Sequence, residues 1–174
     1  SPDWIEFALQ EMGQNGEIGA FKYSTASAHL LSAILTRVTG TSTREFANKF
    51  LFTQIGIDSI NEYPMSSYGY DDLFGKRVKG WVHDPNNITT GGWGLTLTVR
   101  EMARFGQLYL NNGFWNGKQI IPQDWIAKST APNLNHYGYM WWLFENHGLD
   151  AFAAMGDGGN TICCVPQKKL VVAI

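Results

Sequence analysis

Charge is scarce in this chain and favours neither sign. Asp, Glu, Lys and Arg make up 16% of the 174 residues, 13 of them basic and 15 acidic, for a formal net charge of −2. With no long run of either sign, the electrostatic footprint of a nucleic-acid or anionic-membrane partner is missing. Long apolar runs are missing too, and none reaches the about 20 residues of a membrane-spanning helix. Cysteine is limited to Cys163 and Cys164, which are adjacent. Neighbouring residues of a strand point to opposite faces, so the two are poorly placed to pair and read as packing residues. His29, His83, His136 and His147 are scattered, and no Cys/His set has zinc-like spacing, so no metal or cofactor is expected. No internal repeat or low-complexity tract is present.

What the chain does have is apolar and aromatic bulk. Hydrophobic residues reach 44%, and seven Trp, seven Tyr and ten Phe give an aromatic share of 14%. That supplies a sizeable core, argues against disorder, and leaves aromatic surface to line a cleft. The length fits one ordinary domain. The chain starts at Ser1 and stops on the apolar run Leu170-Val171-Val172-Ala173-Ile174. These ends read as those of a piece of a longer protein.

Local patterns give the elements. Trp4 to Leu9 is a short amphipathic start, followed by a Gly-rich loop from Gly13 to Gly19. Ala26, Leu30, Leu31, Ile34, Leu35 and Val38 recur at helical spacing, with Gly40 as a C-cap and Tyr23-Ser24-Thr25 at the N-terminus. Ser42-Thr43-Arg44-Glu45 is a capping box with Phe46, Phe50 and Leu51 as its expected buried face. A long loop is expected from Asp58 to about Pro85. Its acidic residues Glu62, Asp71 and Asp72 read as a solvated loop rather than a cation site. Thr98-Val99-Arg100-Glu101 is a second capping box, opening a helix with Val99, Met102, Phe105, Leu108 and Tyr109 inward. Asn116-Gly117 predicts a tight turn, and Pro122 the start of a short helix through Trp125 and Ile126.

Tyr137 to Phe144 is aromatic and strand-like, and Asn146-His147-Gly148 is turn-like. Strands are expected at 151–155, 161–165 and 170–174, with turns near Gly158 and Gln167. Helices followed by an antiparallel meander make an α+β fold. Residues 1–132 would be the mostly helical part and 133–174 the strands.

Two segments invite chemistry. Gly156-Asp157-Gly158-Gly159-Asn160 leaves the backbone nearly bare between two apolar runs, so either a ligand or another strand approaches it closely. Tyr23 precedes a helix start, where backbone N–H groups add positive potential. It is either a proton-transfer residue or a simple helix-entry residue. Trp93 sits in the glycine cluster Gly91-Gly92-Trp93-Gly94, where it is either a cleft wall or packing. Trp141 and Trp142 read as core, and His83, His136 and His147 as surface residues of polar loops.

Together, Phe21-Lys22-Tyr23-Ser24-Thr25 with Leu30-Leu31, Gly91 to Leu95, Met102 to Gly106, Tyr137 to Trp142 and Gly156 to Asn160 resemble the serine β-lactamase and penicillin-binding-protein family. The nearest branch is that of the class C β-lactamases and their esterase, amidase and D-amino-peptidase relatives. The resemblance runs through nearly the whole chain. It implies an antiparallel sheet flanked by helices plus a mostly helical part. It also implies acyl transfer: a serine of a Ser-x-x-Lys motif attacks a carbonyl, and water resolves the acyl-enzyme. By the same resemblance Tyr23 shuttles protons with that lysine and Thr25 orients substrate or lysine. Asp157-Gly158-Gly159 matches the third motif, and the N–H of Asn160 serves the oxyanion hole. The expected partner is a small ester, amide or β-lactam.

Two departures stand out. Asp157 occupies a place where the family usually has a cation or imidazole, so a substrate carboxylate is disfavoured and a neutral or cationic substrate preferred. No Ser-x-x-Lys occurs in these 174 residues. The nucleophile is expected upstream, in a segment of the same protein, and this piece alone is expected to be inactive. The competing reading is a non-catalytic binding or sensor domain of the same fold.

Overall fold

A computed structural model describes residues 3–14, 16–17, 19–65, 67–75 and 77–174. The chain forms two units, Ser1–Lys49 with Asp58–Thr96, and Phe50–Ile57 with Leu97–Ile174.

The first unit is helical with an irregular return. Helix α1 (Trp4–Glu11) starts at Asp3, whose carboxylate accepts the N–H of Glu6. Helix α2 (Thr25–Thr39) is capped by Ser24 and closed by Gly40 at φ 68°. Only glycine adopts that left-handed cap without strain, which is why the helix stops there. Helix α3 (Thr43–Ala47) begins with the expected capping box, Ser42 and Glu45 serving each other's termini. The side chain of Asn48 then clamps the backbone of Ile60 through two hydrogen bonds of 2.9 and 2.8 Å. Among its described residues the loop expected from Asp58 holds a short helix, α4 (Tyr70–Phe74), and single-residue bridges such as Glu62 to Trp81.

Several sequence expectations are corrected in this unit. The apolar stripe of α2 is not its buried face: Leu31, Ile34 and Val38 are exposed, whereas His29 and Ser32 are buried. The buried pair is tolerated because both side chains find polar partners inside, as described below, which offsets the cost of their desolvation. Asp72 is buried rather than solvated, and its carboxylate accepts the N–H of Ser67. His83 is half-buried, against Glu62 and the carbonyl of Asp84.

Along the chain, α3 leads into a π-turn (Asn48–Phe52) that ends in the second unit, where a 3-10 turn (Thr53–Ile55) follows. The wider turn shifts the helical phase, so Phe52 and Ile55 are buried while Phe50, expected inside, is exposed. Helix α5 (Val99–Leu110) carries the Thr98/Glu101 capping box and buries Leu108 and Tyr109. Val99, at its first position, is exposed rather than inward. The hairpin β1 (Phe114–Trp115) and β2 (Lys118–Gln119) turns on Asn116 and Gly117 at φ 44° and 82°, and helix α6 (Gln123–Ser129) follows Pro122.

Four strands, β3 (Trp142–Asn146), β4 (Leu149–Met155), β5 (Thr161–Val165) and β6 (Leu170–Ala173), form an antiparallel meander. Residues 137–140, expected as strand, stay outside it. Met140 takes φ 66°, and the N–H of Tyr139 bonds the Ser129 carbonyl, which breaks the extended run. Tyr109, Ile126, Trp141, Phe152, Ile162 and Cys164 make the core between α5, α6 and the sheet.

The helix–sheet contact depends on Gly106. A Cβ there would lie 2.7 Å from Val171 Cγ1, 2.9 Å from Ile162 Cγ2 and 3.2 Å from Cys164 Sγ. Two of these belong to stiff β-branched side chains. Gly106→Ala is expected to destabilise the protein by about 1–3 kcal/mol despite its better helix propensity, as read by urea unfolding. A stabilised variant would contradict this packing.

Cys163 and Cys164 are both free thiols, on opposite faces of β5. Burial, with Cys163 alongside, pushes the Cys164 thiol up to about 12. An exposed cysteine ionises near about 8.5. The unfolded chain therefore releases this proton first and binds fewer protons than the native state above that pH. Stability contributed at Cys164 is present below about 8.5 and is lost as pH rises toward 12. Urea melts across this window should show the decline, and Cys164→Val should flatten part of it. An unchanged slope in the variant would refute the assignment.

Candidate active site

Each unit carries part of the residue set read from the sequence. In the first unit, Tyr23 lies two residues before α2 and is 52% exposed. Ser24 is the N-cap, its hydroxyl accepting the N–H of Ser27 at 3.2 Å, and Thr25 is the first helical residue. The plain capping role therefore belongs to Ser24, leaving the side chains of Tyr23 and Thr25 outside it.

The glycine cluster lies directly on this helix start. A Cβ on Gly92 would fall 2.6 Å from Thr25 Cγ2 and 3.0 Å from its carbonyl oxygen. One on Gly91 would fall 2.1 Å from the Ala28 carbonyl oxygen. Glycine is what allows the loop backbone to come this close. The structure thus brings Thr25 and the segment carrying Trp93 together, with Tyr23 two residues ahead of Thr25 in the chain.

The loop is held by buried polar groups. Ser32 Oγ donates to the Thr89 carbonyl at 2.5 Å, and Trp81 Nε1 donates to the Thr90 carbonyl at 2.8 Å. Thr90 Oγ1 reaches the carbonyls of Trp93 at 2.5 Å and Val82 at 3.2 Å. His29 Nε2 meets Asp84 Oδ2 at 3.0 Å, with both residues buried, and the Gly91 N–H donates to His29 Nδ1 at 3.4 Å. The other Asp84 oxygen accepts the N–H groups of Asn86 and Ile88, each at 2.8 Å. Trp93 is half-buried, its ring 5.6 Å from that of Trp4 and 5.8 Å from His29.

Sequence reasoning missed His29 and Asp84. A usable signal existed: His29 and Ser32 are three apart on one helix face, and Asp84-Pro85-Asn86-Asn87 has the composition of an Asx turn.

The second unit holds the glycine break as a turn between β4 and β5. Asp157–Gly159 is a tight turn whose backbone leaves helical geometry, with Gly158 at φ 77° and Gly159 at φ 87°. The Gly156 N–H donates to the Asn160 carbonyl at 2.8 Å, and the Asn160 side-chain amide donates to the Asp157 carbonyl at 2.7 Å. All residues from Gly156 to Asn160 are exposed. Among the described residues no His, Cys, Asp or Glu group could hold a metal ion, and no helix is long and apolar enough to cross a membrane.

Comparison with known proteins agrees with this architecture. The sequence profile of the Beta-lactamase family matches residues 8–174. A 6-aminohexanoate-dimer hydrolase of Paenarthrobacter ureafaciens is 25% identical over 98% of the chain and 42% of its own length. An uncharacterised protein of Alkalihalophilus pseudofirmus is 26% identical over 94% of the chain and 53% of its own length. The chain thus spans about half the length of the curated relatives it matches. Among solved structures, a candidate 6-aminohexanoate-dimer hydrolase from Bacillus anthracis superposes with a TM-score of 0.77 at 29% identity, over 97% of this chain and 42% of that one. A penicillin-binding protein homologue from Caulobacter crescentus shares the fold alone, with a TM-score of 0.58 at 14% identity over 99% of this chain and 60% of that one.

Proposed function

This chain belongs to the β-lactamase family, and from that premise we propose that it is the C-terminal portion of one catalytic domain of a serine hydrolase. The full-length protein forms an acyl-enzyme on an ester or amide. The nucleophile is a serine of a Ser-x-x-Lys motif in the remainder of that protein, so this portion alone is inactive. Tyr23 moves the proton between that lysine, the attacking serine and the leaving group. Thr25 orients the substrate with a hydroxyl that both donates and accepts. The Asn160 N–H stabilises the oxyanion, with Gly158 and Gly159 keeping the approach clear, and Trp93 forms a wall of the substrate cleft.

The observation that carries this reading is the seating of the Gly91–Gly92 backbone on the first turn of α2, against Thr25 and Ala28. Asp157 sets the substrate preference. Its carboxylate repels an anionic group and attracts an ammonium. A dimer of 6-aminohexanoate, the substrate in the relatives' name, is a linear amide with an ammonium at one end and a carboxylate at the other, and Asp157 suits the ammonium end. A neutral ester or an amide with a cationic end is therefore preferred over a penicillin or a D-Ala-D-Ala terminus.

The test is a panel on the full-length protein: p-nitrophenyl esters, D-amino-acid amides, the 6-aminohexanoate dimer and nitrocefin. Hydrolysis of esters or amides with little nitrocefin turnover is expected. Rapid nitrocefin hydrolysis would overturn the substrate preference, and turnover of none of these would favour a non-catalytic binding domain. Asp157→His should raise nitrocefin turnover by about tenfold by removing the like charge, and no gain would remove Asp157 from the substrate site.

A further inference from the structure

We propose that His29 and Asp84 act together as a positioning pair, fastening the Gly91–Trp93 loop to α2 and thereby setting Thr25 and Trp93 for catalysis. This rests on the functional reading above for its catalytic consequence, and on geometry alone for the fastening. The Gly91 N–H can only donate, so the Nδ1 it meets at 3.4 Å is the accepting nitrogen, and Nε2 carries the proton toward Asp84 at 3.0 Å. Asp84 fixes that tautomer because its carboxylate only accepts. Its second oxygen is held by the N–H groups of Asn86 and Ile88, so the carboxylate cannot swing away without losing both. His29 and Asp84 are 2% and 0% exposed, which keeps water from replacing either partner. The rings of Trp4 and Trp93 pack against the imidazole, at 6.1 and 5.8 Å. A change in the pair therefore reaches the loop at Gly91 and at Trp93, and through Gly92 it reaches Thr25.

Asp84→Asn separates this role from bulk packing, because it is nearly isosteric. If the Asn oxygen keeps the N–H groups of Asn86 and Ile88, its NH₂ faces His29. The imidazole must then accept at Nε2 and carry its proton at Nδ1, directly opposite the Gly91 N–H. The measurement is made on the full-length protein, by hydrogen exchange of peptides spanning residues 89–95 and by kcat and KM per competent site. Exchange in that segment should quicken by about tenfold. Turnover should fall by about tenfold to a hundredfold, mainly in kcat. His29→Gln, whose amide can donate to Asp84 and accept from Gly91, should lie closer to wild type than His29→Leu in both readouts.

Unchanged exchange at residues 89–95 in Asp84→Asn would overturn the fastening whatever the activity. Faster exchange with unchanged kcat in an active enzyme would overturn the positioning role. If wild type turns over no substrate, the hydrolase reading fails and with it the catalytic role, while the exchange result still decides the fastening.

Discussion

Tyr23→Phe in the full-length protein is expected to lower acylation by about two to four orders of magnitude while leaving folding nearly intact. The substitution removes one oxygen from a side chain that is half exposed and lies before the helix cap. The stability cost should therefore be about 1 kcal/mol or less. The cap itself is supplied by Ser24, so the start of α2 survives the change. A phenol that only guides the chain into a helix would be dispensable for turnover. A phenol that carries a proton between lysine and serine would not. Pre-steady-state acylation with a p-nitrophenyl ester, beside a urea melt, separates the two. An equally active, equally stable variant would reduce Tyr23 to a helix-entry residue.

Gly91→Val should be strongly damaging to the first unit. The new Cβ would meet the carbonyl oxygen and carbon of Ala28 at 2.1 and 2.8 Å and the Cα of His29 at 3.0 Å. These are main-chain atoms of α2, held by helical hydrogen bonds, so they cannot yield as the end of a flexible side chain would. The loop must lift instead, losing the Gly91 bond to His29 and straining those of Thr89 and Thr90. A loss of about 3 kcal/mol or more is expected, together with loss of turnover. The conflict is steric, since Gly91 lacks the positive φ of Gly94. Near-normal stability by urea unfolding would mean that the loop does not press on the helix.

The parts of the fold that were legible in the sequence are those decided within a few residues. The Ser42/Glu45 and Thr98/Glu101 capping boxes, the Gly40 cap and the Asn116-Gly117 turn each complete their hydrogen bonds or backbone geometry locally. The meander was legible because its strands are consecutive and joined by short turns. The inward face of α2 was not. Leu31, Ile34 and Val38 have the stronger apolar periodicity. What decides burial is that His29 meets Asp84, 55 positions away, and Ser32 meets the Thr89 carbonyl, 57 positions away. Phe50 was misplaced for a related reason, since a π-turn shifts the phase that periodicity assumes to be constant. At the candidate site, Tyr23, Thr25 and the glycine segments could be named because they carry motifs. The groups that hold them could not, because a lone His and a lone Asp bear no pattern until the fold joins them.

Acyl transfer by the full-length protein, with Tyr23 as its proton carrier, is the function proposed above. Its most direct test is intact-mass analysis after treatment with a fluorophosphonate, with the adduct mapped by peptide sequencing. One adduct on the serine of a Ser-x-x-Lys motif, forming far more slowly in Tyr23→Phe, is the predicted result. No adduct, an adduct elsewhere, or labelling of Tyr23→Phe at the wild-type rate would contradict it.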